Sequence, residues 1–418
     1  MGIRNCFILF LSFLLCLILT SCQAFPAAAP VQAALPSTPQ PVTPTSPQYR
    51  SSTPSLSPYP TSTQHRTSTP IPTITPFYYR SPTAVPIRII PTQTSMPANI
   101  NPFTGRVVSN LSLLERRPVM VKVSNYPASG RPHAGLSFAD LVFESYIGYG
   151  ENRFNAIYYG QDSPKSGPVR SGRLVDAQLG LMYQTIFLYA NADEKVEEKI
   201  AAALGERALA SKNMPCEPVC YNGTQSITTL FTDTARLSEY AKDKGIDNSR
   251  QNLQGMAFSI QPPASSTYAV NVAINFSSTD RGEWRYDTAT QTYLRWIESV
   301  ANNGSVSMIP LVDRLTEKQL SFANVLVVFA RYIEYSPTLH DIDLANSVGN
   351  KRMVLFRDGI MVDGFWKANA PDLPLQFITR DGNPMPLKPG NSWIVLVGEV
   401  STLTEQQPGQ WQIQFALP

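Results

Sequence analysis

Residues 118–159 read PVMVKVSNYPASGRPHAGLSFADLVFESYIGYGENRFNAIYY, and three runs within them set the fold class. Pro118–Val123, Leu141–Ile147 and Phe154–Tyr159 are rich in β-branched and aromatic residues and are bounded by Gly, Pro or Asn, the signature of strands. Downstream, Leu174, Val175, Leu179, Met182 and Ile186 recur at helical spacing, so 173–184 reads as a helix. Ile186–Ala190 reads as a further strand. Asn191 followed by Glu194 suggests a capping box for a helix that ends at Gly205. Ile227, Leu230, Thr234, Leu237 and Ala241 suggest another helix, with Ser226 as its N-cap and Gly245 past its end. Residues 101–262 are therefore expected to form a mixed α/β domain.

Gln261-Pro262-Pro263-Ala264-Ser265-Ser266 has linker chemistry. Beyond it the pattern changes to strands. Tyr268, Val270, Val272, Ile274 and Phe276 alternate with smaller or polar residues, and Trp284–Tyr286 with Tyr293–Ile297 suggests a hairpin. Val325–Ala330 is apolar throughout, as a central strand would be. Asp358-Gly359 joins Met353–Arg357 to Ile360–Val362, a strong hairpin signal, and Asp381-Gly382 repeats it before Trp393–Val397. Trp411, Ile413 and Phe415 alternate to the end. Residues 263–418 are expected to be β-rich, a small barrel or sandwich, and the chain as a whole α+β.

The N-terminal hundred residues differ in kind. Residues 1–100 contain 5 Arg and no Lys, Asp or Glu. Residues 101–418 hold 29 basic and 31 acidic residues, a net −2. A slightly acidic folded part argues against a nucleic-acid binder. Residues 1–21 carry Arg4, then an apolar run from Phe7 to Leu19, then Leu19-Thr20-Ser21-Cys22, which has the parts of a secretory signal. A Cys directly after the small residue resembles the bacterial lipobox, so Cys22 is the expected lipidation site and the membrane the expected partner. Residues 22–100 are a Pro/Ser/Thr-rich segment; 17 of the 36 Pro lie in 23–100. Such a composition predicts a disordered tether, spanning about 50 Å as a coil or ~240 Å as extended polyproline. The folded part is thereby placed outside the cytoplasm.

Of the five Cys, only Cys216 and Cys220 remain in the expected folded part, and in an oxidising compartment they should pair. The sequence contains no HExxH, no G-x-S-x-G and no Walker loop, and no cofactor or metal is expected. The stretch that invites a site is Gly167-Pro168-Val169-Arg170-Ser171-Gly172-Arg173, which meets the helix expected from 173. Two Arg there oppose the positive end of the helix dipole, so something must compensate them. An anion held by Arg170, Ser171, Gly172 and Arg173, with Arg153 beside them, would do so. An internal network would do so too, with Glu144, Glu151 or Asp176 as the partner carboxylate. Asp140 and Glu144 are the carboxylates expected to order the site.

The ordered series Arg117-Pro118-Val119, Asn125, Arg131–Glu144, Arg153-Phe154, Gly167–Arg173, Phe356–Gly359 and Trp366 resembles the YerB-like bacterial lipoproteins. The resemblance covers essentially all of 101–400. It implies two domains of unknown function and an envelope location, and it supplies no reaction. Its pattern has Gln where this chain has His133. Three functional readings follow. One is a non-catalytic lipoprotein that binds an anionic cell-wall or lipid-derived ligand. Another is a cell-wall-modifying enzyme with Glu144 or Asp140 as acid or base. The third is a scaffold for a protein partner whose identity the sequence does not disclose.

Overall fold

The computed structural model describes residues 96–418. The expected signal segment, most of the tether and Cys22 lie outside them.

The first half supplies β1 (Val119–Ser124), β2 (Leu141–Gly148), β3 (Glu151–Tyr158), helix α1 (Leu174–Met182), β4 (Ile186–Tyr189), helix α2 (Glu194–Leu204), β5 (Ala208–Ala210) and helix α3 (Thr234–Asp243). β3 runs antiparallel to both β2 and β1, whereas β4 runs parallel to β1 and β5 parallel to β4. Nearly every residue of β1 to β4 is buried, which is why these runs read as continuous rather than alternating apolar stretches.

The second half is almost wholly strand. The long strand Asn324–Ser336 pairs antiparallel with Lys351–Arg357 and parallel with Ser392–Gly398. Ser392–Gly398 in turn pairs parallel with β2, from Leu141↔Ser392 to Ser145↔Leu396. Strands from both sides of the 261–266 linker are thus hydrogen-bonded into one eleven-stranded sheet. Its order is Gln376–Thr379, Ile360–Lys367, Lys351–Arg357, Asn324–Ser336, Ser392–Gly398, β2, β3, β1, β4, β5, with Leu339–Asp343 attached to Asn324–Ser336. A second, seven-stranded sheet is built around Thr292–Val300, Arg281–Asp287, Asn271–Asn275 and Gln410–Gln414. The fold is α+β, mixed in the first half and β-rich in the second.

Cross-strand partners share a face of a sheet, and successive residues alternate. Val142, Glu144 and Phe154 lie on the face that meets the seven-stranded sheet. There the Trp393 ring sits 5.0 Å from Phe154 and 6.0 Å from Trp284. Phe143, Ser145, Arg153, Asn155 and Lys122 lie on the other face, where Phe143 packs edge-on against Tyr183 at the end of α1. This parity decides which charged groups can meet.

Two helix starts differ from expectation. α3 begins at Thr234 rather than after Ser226, because Asp233 accepts from Ala235 N and Arg236 N and so caps it. Leu230–Thr232 is a strand paired with Val219–Tyr221. α2 is capped by Asp193, whose side chain accepts from Lys195 N, and not by Asn191. Asn191 has another task. Cys216 and Cys220 form a disulfide, as the compartment argument expects.

Candidate anion site at the start of helix α1

The segment from Gly167 to Arg173 lies along the carboxyl ends of the parallel strands β1 and β4. Ser124 N donates to Pro168 O at 2.8 Å, Arg170 N to Lys122 O at 2.9 Å and Ala190 N to Arg170 O at 2.9 Å. Gly172 N donates to Asn191 O at 2.8 Å. Ser171 Oγ donates to Asn191 Oδ1 at 2.5 Å. Gly172 has a packing role: a Cβ there would stand 2.8 Å from Ile200 Cδ1, so a larger residue would make the Ile200 side chain shift. In open α/β sheets ligands bind at such carboxyl ends, beside helix N-termini.

Arg153, Arg170 and Arg173 converge on this loop. Arg153 Nη1 donates to Ser171 O at 2.8 Å, Arg173 Nη1 to Gly172 O at 2.8 Å and Arg170 Nη2 to Tyr126 O at 3.3 Å. Each accepting group is a neutral carbonyl. Among the described residues none of the three guanidiniums forms an ion pair, and the Nε of each is buried without a hydrogen-bond partner. Arg153 is only 6% exposed. Its burial, then Arg173 and Arg170 beside it, push its pKa down to about 9. Burial also lowers Arg170 and Arg173. All three stay cationic at neutral pH.

A fourth cation, Lys122, lies beneath them. It is fully buried, its Nζ is 2.7 Å from Asp176 Oδ1 and 2.8 Å from Asn155 Oδ1. Burial pushes Lys122 down to about 8, against the pull of Asp176, and Arg153 and Arg173 add to the fall. Asp176 also accepts from Arg173 N at 2.7 Å through Oδ2, which holds the first turn of α1. Asp176 is therefore the carboxylate that orders this loop. Its side chain contacts Lys122 and the helix start, while it acts on Arg153 and Arg173, and Glu151 acts on all three arginines, through space without contact. Lys122 escaped the sequence reading, although a lysine amid PVMVKV, a run apolar on both sides, was the available signal.

Asp140 and Glu144, expected to order the site, stand elsewhere. Glu144 lies on the opposite face of the sheet, where strand parity keeps it from Arg153. It meets Arg295 Nη2 at 3.2 Å and accepts from Trp393 Nε1 at 2.7 Å and Asn152 Nδ2 at 2.6 Å. The Arg295 guanidinium sits 4.2 Å from the Trp284 ring centre and 5.0 Å from that of Trp393. Burial raises the Glu144 pKa and Arg295 opposes this. Asp280 and Glu298 adjoin the same cluster, and burial, then Glu298 and Glu144, raise Asp280 well above the usual range. Asp140 is at the far end of β2, roughly 17 Å along the strand from Arg153. Its Oδ2 accepts from Tyr159 N and Gly160 N, both at 2.8 Å, and burial pushes it up to about 6. The two carboxylates do not share a cleft with each other or with the arginines.

His133 is buried, with Nε2 2.7 Å from Ser124 O, so the ring nitrogen donates to that carbonyl as a neutral imidazole. Burial, then Arg131, push it down to about 3 from 6.5. Its folded pKa lies below the unfolded one, so the unfolded chain takes up the proton first. The His133 contribution to stability is complete above pH 6.5 and is lost as pH falls toward 3. Asp140, raised from 3.8 to about 6, has the opposite sign in the overlapping window. The His133 term is isolated by subtracting a His133→Gln variant. Urea unfolding of both proteins should show the wild-type advantage shrinking by about 1.4 kcal/mol per pH unit below pH 6.5. A difference independent of pH would mean that His133 is charged in the fold.

The N-terminal domain model of the "Protein of unknown function (DUF3048)" matches residues 103–247, and its C-terminal domain model matches 272–394. The chain belongs to the DUF3048 family. The arginine loop falls inside the family's N-terminal domain. The chain is similar to a Bacillus subtilis (strain 168) protein named "Putative lipoprotein YerB", 27% identical over 317 residues that cover 72% of this chain and 86% of that protein. The crystal structure of YerB from Bacillus subtilis matches with a TM-score of 0.58 at 23% identity, covering 71% of this chain and 96% of that one. That likeness shows that the DUF3048 fold is common to both. No helix among the described residues is long and apolar enough to cross a membrane.

Proposed function

We propose that this protein is an extracytoplasmic lipoprotein, anchored through lipid on Cys22, whose first half binds a carboxylate- or phosphate-bearing ligand derived from cell wall or lipid. The observation that carries the reading is the gathering of Arg153, Arg170 and Arg173 with no carboxylate paired to any of them and three buried Nε atoms unpartnered. Leaving buried donors unsatisfied is costly, and bidentate guanidinium contacts suit planar or tetrahedral oxyanions. The separation of Asp140 from Glu144 favours binding over acid–base catalysis. A thermal-shift series with inorganic phosphate, polyphosphate, muropeptides and phospholipid head groups tests it. A ligand at a hundred times its Kd should stabilise the fold by about 2.7 kcal/mol. Failure of every anion to raise Tm contradicts the reading.

The anchor is tested separately. Cys22→Ala should move the protein from the membrane to the soluble fraction, since durable attachment needs the acyl chains on that residue. Continued detergent-dependent fractionation of the variant would refute lipidation at Cys22.

A further inference from the structure

Arg170 and Ser171 form one end of an open cleft of about 710 Å³ that runs past Asn191 to the segment carrying Tyr221, Gln225 and Ile227. We infer that this cleft takes a sugar bearing a phosphate or carboxylate, with the anionic group at Arg170 and the sugar body along the far wall. The inference rests on the anion site proposed above and adds the class of its ligand.

The volume lies within the roughly 300–1,000 Å³ of small-molecule sites and leaves ample room beyond a bare oxyanion. The remaining wall mixes polar groups with apolar side chains such as Met214 and Leu230, and it is nearly uncharged. Asn191 spends Oδ1 on Ser171 and keeps its amide N–H donors. Gln225 is exposed and offers both donor and acceptor. Lys212 also borders the cleft, half-exposed and with its ammonium 2.6 Å from Glu197. The cleft thus has one cationic end, at Arg170, and a neutral body of mixed amide and apolar groups, which matches one anionic group joined to a sugar ring. Tyr221 and Ile227 stand 43% and 55% exposed on the rim and offer apolar surface to the C–H face of a sugar ring. The Cys216–Cys220 disulfide and the pairing of Val219–Tyr221 with Leu230–Thr232 hold this wall in place.

Calorimetric titration of the mature chain with inorganic phosphate, a hexose 6-phosphate, a hexuronic acid and the uncharged hexose tests the inference. The hexose 6-phosphate should bind at least tenfold tighter than phosphate, the hexuronic acid should bind measurably, and the uncharged hexose should bind far more weakly. Tyr221→Ala and Gln225→Ala, both at exposed positions, should each cut the advantage of the sugar anion several-fold while leaving phosphate affinity unchanged. Equal affinity for phosphate and the sugar anion, or equal loss of both in Tyr221→Ala, overturns the sugar-acid assignment and leaves the anion site standing. Absence of binding by every anion overturns both.

Discussion

Glu144→Ala should lower the stability of the folded part by about 3–5 kcal/mol, because it strands a charge between two sheets. The Arg295 guanidinium is 1% exposed and its one ion-pair partner among the described residues is Glu144. Removing the carboxylate also takes the acceptor from Trp393 Nε1 and one acceptor from Asn152 Nδ2. Arg295 cannot shed its proton at any ordinary pH, and the flanking Trp284 and Trp393 rings offset only part of the lost partner. Urea unfolding should show a lower midpoint, with Tm falling by on the order of 10 °C. Replacing both members, Glu144→Met with Arg295→Met, should recover most of the loss, since a buried pair contributes little net stability relative to apolar residues of similar volume. A single variant within about 1 kcal/mol of wild type would mean that water reaches Arg295 and that the sheets do not seal this cluster.

Asp176→Ala should cost a similar ~3–5 kcal/mol on the opposite face of the same sheet. Asp176 lies beneath a group of four cations, where it pairs with Lys122 and caps the turn at Arg173. Without it, Lys122 is buried with only Asn155 Oδ1 as partner, and α1 loses its first-turn anchor. The variant should also respond differently to added anion. An oxyanion that enters the arginine cluster offsets part of the missing negative charge, so phosphate should raise the variant's Tm more than the wild type's. Lys122→Met in the Asp176→Ala background should restore stability by removing the stranded ammonium. A loss below about 1 kcal/mol would indicate that Lys122 is neutral or hydrated in the fold.

Much of the fold was legible because the signals were local. The runs around Met120, Phe143 and Ile157 form strands where their composition places them, and Leu174 to Met182 forms the expected helix. Asp358-Gly359 turns the hairpin it predicts. Ile227 and Leu230 misled because their spacing continues that of Leu237 and Ala241. Leu230–Thr232 is instead short enough to be a strand, and Asp233 supplies a better cap than Ser226. The site was half legible. Arg153 reaches Ser171 O, Arg173 reaches Gly172 O and Arg170 reaches Tyr126 O, so the three lie along one loop. The role of Glu144 was hidden, since its partner Arg295 is 151 residues away and only strand parity decides which face it occupies. Asn391 and Ser392 show the same limit. The Ser392 strand pairs with β2 across the whole linker, and no pattern in either segment encodes that register.

The most direct test of the anion site is an isothermal titration of the folded chain with inorganic phosphate, in wild type and in Arg170→Ala, at one low ionic strength. Arg170 is half-buried and makes only the long 3.3 Å contact to Tyr126 O, so its loss should leave the fold intact. The account predicts saturable one-site binding in the wild type and at least a tenfold weaker affinity in the variant, the effect of about 1.4 kcal/mol from one charge-assisted contact. Equal binding by both proteins, or no saturable binding by the wild type, would contradict it.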